Sequence, residues 1–163
     1  MSNLRSAILI LAVVLASSPA YAQSKAALAA PADNMQILRE KLKADKKLLV
    51  AANMELTEAE AKKFWPLYEE YQKELAKIND QLATTITAYA KEYNAGSLTD
   101  KKAIELTNQA IAIDESENRL KRAFVPKLAK ALPGRKAARY LQVENKVRAL
   151  VKYEIAGEVP LAP

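Results

Sequence analysis

The stretch Leu56-Thr57-Glu58-Ala59-Glu60-Ala61-Lys62-Lys63-Phe64-Trp65-Pro66-Leu67-Tyr68-Glu69-Glu70-Tyr71 decides the fold. Thr57 is placed to accept from the Glu60 N–H while the Glu60 carboxylate returns to the Thr57 N–H, and Leu56 can staple onto Ala61; together these mark a helix start. From Phe64 the apolar residues recur at alternating helical steps through Tyr68, Tyr71, Leu75, Ile78, Leu82, Ile86 and Tyr89. That spacing is a helical stripe close to a heptad seam.

A second arm carries the pattern in reverse, with Ala103, Leu106, Ala110, Ile113, Leu120, Phe124 and Leu128 on its stripe and Asn94-Ala95-Gly96-Ser97 between the arms. A reversal at Gly96 sets Phe64 opposite Leu128, Tyr68 opposite Phe124, Tyr71 opposite Leu120, Ile78 opposite Ile113 and Ile86 opposite Leu106. Two long helices are therefore expected to zip together as an antiparallel hairpin, with Gly96 supplying the left-handed cap of the first. Thr99, in Leu98-Thr99-Asp100, caps the second arm, but Lys102 at the reciprocal position leaves that capping box half made. Pro66 and Pro126 face one another across the hairpin. They either bend both arms at one level, giving a cradle, or mark helix junctions.

Outward from the hairpin, Asp33 reads as the N-cap of a shorter first helix that places Met35, Leu38, Leu42 and Leu49 on one face and ends near Val50. A fourth helix is expected from Arg135 to about Ala156, stopped by Gly157 and Pro160. Tyr140, Val143, Val147, Leu150 and Val151 share an arc that can bury, while Arg135, Arg139, Gln142 and Lys146 line a separate stripe. The fold class is all-α: a long, bent antiparallel hairpin of the second and third helices, flanked by a shorter first helix and a fourth. Residues 33–163 form one helical domain.

The N-terminus reads differently. Met1 to Ala22, with Arg5, an apolar run from Ala7 to Ala16 and the small-residue site Pro19-Ala20-Tyr21-Ala22, has the form of a secretory signal peptide cleaved after Ala22. Its apolar core is about half what a bilayer span needs, so a membrane anchor is not expected. Gln23 to Ala32 is Ala-rich without a stripe and reads as a flexible mature N-terminus. The product is expected to be periplasmic. Arg5 is the only charged residue of the leader, so the net charge of +6 becomes +5 on its removal. In a compartment without chromosomal DNA, that excess points to anionic proteins, to anionic lipid or to no partner at all, the charge then serving solubility.

Several chemistries are excluded by composition. The chain holds no histidine and no cysteine, which removes the commonest general base, the commonest transition-metal ligand and thiol catalysis. Its glycines are isolated terminators, so no phosphate-cradling loop exists, and no serine sits in a Gly-x-Ser-x-Gly elbow. Acidic pairs such as Glu69-Glu70 and Asp114-Glu115 interleave with lysines as a solvated surface does. Neither catalytic residues, cofactor nor metal are expected. Glu117, on the seam opposite Leu75, is read as lying at the margin and snorkelling outward, the alternative being a polar interruption that fixes register. Trp65 lies off the seam, either packed under the first or fourth helix or exposed to partners.

The leader, the four helices, the basic balance and the paired starts Leu56-Thr57-Glu58-Ala59-Glu60 and Leu98-Thr99-Asp100-Lys101-Lys102 resemble the Spy/CpxP (LTxxQ) periplasmic stress proteins, with Glu60 and Lys102 where that motif has glutamine. The resemblance implies a cradle-shaped homodimer of bent hairpins and an ATP-independent chaperone with a basic, partly apolar face. Phe64-Trp65-Pro66, Leu132-Pro133 and Arg139-Tyr140 also resemble exported helical proteins to which no activity is attached. The expected function is to hold unfolded or partly folded clients, with Trp65, Tyr71, Arg135, Arg139 and Lys146 as the contact residues. The alternative is a non-enzymatic regulatory module docking on one acidic partner, such as a stress-sensor domain, or on anionic membrane.

Overall fold

In a computed structural model of the chain, residues 31–163 are described, with side chains from residue 43 onward. The leader, the Ala-rich segment up to residue 30 and the side chains of Met35, Leu38 and Leu42 lie outside the described residues. Four helices follow in order: α1 Pro31–Met54, α2 Glu58–Ala95, α3 Asp100–Ala131 and α4 Gly134–Glu158. No strand occurs among the described residues, and α2 and α3 pack along each other as the hairpin. No helix among the described residues is long and apolar enough to cross a membrane.

The local signals at both ends of α2 and at the start of α3 act as read. Thr57 N–H donates to Glu60 Oε2 at 2.8 Å and Glu60 N–H to Thr57 Oγ1 at 3.3 Å, completing the capping box. Thr99 Oγ1 accepts from the Lys102 N–H at 3.2 Å with no return bond of that kind, so the second box is half made. Gly96 adopts φ 62° and ψ 25°. Its N–H reaches the Tyr93 carbonyl while the Ser97 N–H reaches that of Glu92, the paired bonds of a Schellman end.

Four expectations shift. Helix α1 starts at Pro31, so Pro31 and Ala32 are helical and Asp33 lies inside rather than at the cap. It also runs past Val50 to Met54, where Glu55 at φ 46° ends it in a left-handed turn. Helix α4 includes Gly157. The hairpin register moves as well: α2 ends at Ala95 and α3 begins at Asp100, so the reversal centres between Ser97 and Leu98. Tyr71, not Tyr68, consequently meets the Phe124 ring edge-on at 5.2 Å, and Lys127 Nζ reaches Glu70 Oε1 at 2.6 Å. Ala110 falls on the exposed side.

Pro66 and Pro126 lie inside uninterrupted helices, so neither marks a junction. Each removes the amide that would bond one turn back, at Lys62 and Arg122, and such a gap bends a helix.

The principal core sits at the open base of the hairpin. Val50 and Met54 of α1, Phe64, Tyr68, Tyr71 and Leu75 of α2, Phe124 and Leu128 of α3, then Leu132, Ala137 and Tyr140, are all buried there. Rings carry it: Tyr140 stands edge-on to Phe64 at 5.0 Å and to Tyr71 at 5.7 Å. A fully buried aromatic or aliphatic side chain contributes about 1.5–3 kcal/mol, so this base anchors all four helices. The far end holds a small cluster, Ala90 with half-buried Ile86, Tyr89 and Tyr93, and buried Leu106 on α3.

Candidate functional site

The base core gives way to charge one turn further along α4. Lys46 Nζ donates to Gln72 Oε1 and to Glu144 Oε2, each at 2.8 Å. Gln72 Nε2 donates to Glu144 Oε1 at 2.8 Å and to the Tyr140 hydroxyl at 3.2 Å. One carboxylate thereby ties α1, α2 and α4 together. Burial, followed by the charge of Glu144, pushes the Tyr140 hydroxyl far above the usual tyrosine range and keeps it neutral.

A second polar layer lies one further turn out. Arg148 Nε donates to Glu117 Oε2 at 2.6 Å and Arg148 Nη1 to Asn79 Oδ1 at 3.0 Å, while Lys121 Nζ pairs with Glu117 Oε1 at 2.8 Å. Glu117 is 3 % exposed, which overturns the expectation that it snorkels outward. The reason is α4, whose Arg148 reaches over the seam and supplies the counter-charge that makes burial tolerable. Burial alone pushes the Glu117 carboxyl up; the hydrogen bonds and charges of Lys121 and Arg148 outweigh it and hold the group below the usual carboxylate range.

With Glu144 and Arg148 turned inward, the outward face of α4 is set. Arg135, Arg139, Gln142, Lys146, Leu150 and Tyr153 fall within one narrow arc at helical spacing, and all are exposed. Leu150 at 52 % and Tyr153 at 77 % exposure therefore belong to the outer stripe, which corrects the placing of Leu150 in the buried arc. The stripe is basic towards the base and apolar towards the far end. Beside it, Arg139, Gln142, Val143 and Lys146 face Ala52, Asn53 and Glu55 of the α1 end across an open groove. Arg139 Nη1 lies 3.8 Å from Glu55 Oε2, whereas Lys146 has no ion-pair partner among the described residues.

The candidate contact residues thus divide. Arg139 and Lys146 share the groove and Arg135 extends its stripe. Trp65 is half-buried against the base core, with Lys47 Nζ 5.2 Å from its ring centre, so it packs under α1. Tyr71 is 1 % exposed and cannot touch a client; its ring is enclosed by Phe124 and Tyr140. Sequence reading missed Glu144 and Arg148 as inward residues and Tyr153 as an outward one. A signal existed: Tyr140, Glu144 and Arg148 follow at single helical turns, in line with Ala137. Lys136 was missed too. Its Nζ donates to the Glu55 carbonyl at 2.7 Å and to Glu60 Oε2 at 2.6 Å, clasping the α1–α2 turn.

No group of acidic side chains that could hold a metal ion forms among the described residues. Comparison with known protein families, with curated proteins and with solved structures finds no match.

Proposed function

We propose that this protein is a periplasmic, ATP-independent chaperone that holds unfolded or partly folded clients on the outward stripe of α4. The observation that carries this reading is the stripe itself: Arg135, Arg139 and Lys146 precede exposed Leu150 and Tyr153 on a single helix face. Charge of one sign speeds encounter with acidic chains, and apolar side chains beside it hold the client briefly without an energy source. The resemblance to the Spy/CpxP proteins supports the same reading. The outer face of α3, with Ile104, Ile111 and Val125 exposed, gives a homodimer an apolar face to pair through.

The test is suppression of aggregation of a chemically denatured substrate at equimolar chaperone, repeated across salt. Arg139→Glu with Lys146→Glu should abolish suppression at low salt, and Leu150→Ser with Tyr153→Ser should abolish it at all salt concentrations. Suppression unchanged in both would overturn the reading. Enrichment of one native acidic protein in crosslinked pulldowns, without suppression, would instead identify a regulatory module.

A further inference from the structure

We infer that the outer half of α4 is a displaceable cover, beneath which lies a second, apolar surface for clients. The inference rests on the chaperone reading for what the surface holds, but the opening itself stands on geometry alone.

The two halves of α4 are attached by different means. Ala137 and Tyr140 are buried in the base core, and Glu144 is the last buried residue of the helix. Beyond it the apolar residues are at most half-buried, and the polar ties to the hairpin are Arg148 to Glu117 and Asn79, Lys152 Nζ to Asp114 Oδ1 at 2.8 Å, and the Tyr89 hydroxyl donating to the Pro160 carbonyl at 2.9 Å. Lys152 and Asp114 are each about half exposed, and such pairs add little to stability. Arg148 Nη2 is buried with no hydrogen-bond partner among the described residues, so closing leaves a donor unsatisfied. Gly157 within the segment and the absence of a basic residue from its last turn weaken the helix end. Few buried apolar contacts and exposed backbone bonds are the physical signature of a segment that opens locally.

Opening would bare apolar groups on both sides. Val147, Val151 and Ile155 of α4 are half-buried in the closed state. At the level the cover crosses, the hairpin seam holds buried Ile78 and Ile113 and half-buried Leu82. Glu117, Lys121 and Asn79 interrupt that surface, so it suits an extended client segment that alternates apolar with polar or charged residues. Glu117 keeps Lys121 when Arg148 leaves, so the hairpin retains its own ion pair while the cover is open.

The chain contains no cysteine, so Lys152→Cys with Asp114→Cys creates a unique pair. Salt-bridged side chains of this length hold their backbones too far apart for a disulfide, and a short bismaleimide is used to join them. The joined protein should lose at least about half of the client-holding capacity of the same variant with both thiols separately capped. Full capacity in the joined protein would overturn the second surface. In the wild-type protein without client, amide exchange over residues 147–158 should run about tenfold or more faster than over 137–144 and accelerate with salt; equal protection of both halves would overturn the cover. Arg148→Gln should speed exchange in the outer half alone. If exchange is fast but no variant holds any client, the chaperone reading fails while the cover stands.

Discussion

Arg148 and Glu117 meet at 2.6 Å across the α3–α4 boundary, yet they depend on each other unequally. Glu117 has a second cation in Lys121, at 2.8 Å from its other oxygen; among the described residues Arg148 has otherwise only the amide of Asn79. Removing the carboxylate strands a nearly buried guanidinium, whereas removing the guanidinium leaves a carboxylate still paired. Glu117→Ala should therefore cost about 3–5 kcal/mol and Arg148→Ala about 1–3 kcal/mol. Urea denaturation of both, with Glu117→Leu plus Arg148→Met costing less than Glu117→Ala, checks the asymmetry; equal losses would refute it.

That ion pair also marks where sequence reading stops. The hairpin was legible because its signals are local: the Thr57–Glu60 box, the left-handed Gly96 and a period repeated along each arm. The inward face of α4 was not, because Glu144 and Arg148 become fit to bury only through Lys46, Gln72, Asn79 and Glu117, which stand on other helices. With those two inward, Leu150 had to turn outward. The register slip has a similar cause: Gly96 caps α2, but three further residues, Ser97 to Thr99, precede α3. The exposure of Arg139 and Lys146 was legible, since a solvated stripe needs no partner to be recognised.

Two left-handed residues give opposite predictions. Gly96 sits at φ 62° with nothing within 4 Å of an added Cβ, so Gly96→Ala should cost only the backbone term, about 1–2 kcal/mol. Glu55 already carries that penalty at φ 46°. Glu55→Gly should accordingly stabilise the protein by up to about 1 kcal/mol, less the weak Arg139 contact it removes. Calorimetric melting of the pair gives both signs.

Acid should unfold the protein through Glu117 and Glu60. Both carboxyls are held below the ordinary range: Glu117 against its own burial by Lys121 and Arg148, Glu60 by Lys136 and then by the Thr57 N–H. With a depressed folded pKa, the unfolded chain takes up the proton first. The stabilisation is then complete above about pH 4.3, the unfolded value, and is lost as pH falls through the folded one. Urea midpoints should be flat from about pH 8 to 5, since the chain has no histidine, and drop below. Glu117→Gln should flatten the acid limb. At the other extreme, burial raises the hydroxyls of Tyr68, Tyr71 and Tyr140, so the unfolded chain ionises first and stability falls above about pH 10.

The last prediction concerns Pro66 and Pro126, which the Tyr71–Phe124 contact sets within about three residues, less than one turn, of each other across the seam. Both are exposed inside continuous helices, so alanine at either position restores an amide donor without opening a cavity. Each single change should stabilise by up to about 3 kcal/mol, the interior cost of proline. The full gain needs both, because a straightened α2 still packs along an α3 held in its own bend. Straightening alters how α4 lies over the outer hairpin, so the double variant should melt higher yet hold clients less well, and its small-angle scattering should show a longer particle. A higher melting temperature with unchanged scattering and unchanged holding would mean that the prolines cost stability without shaping the molecule.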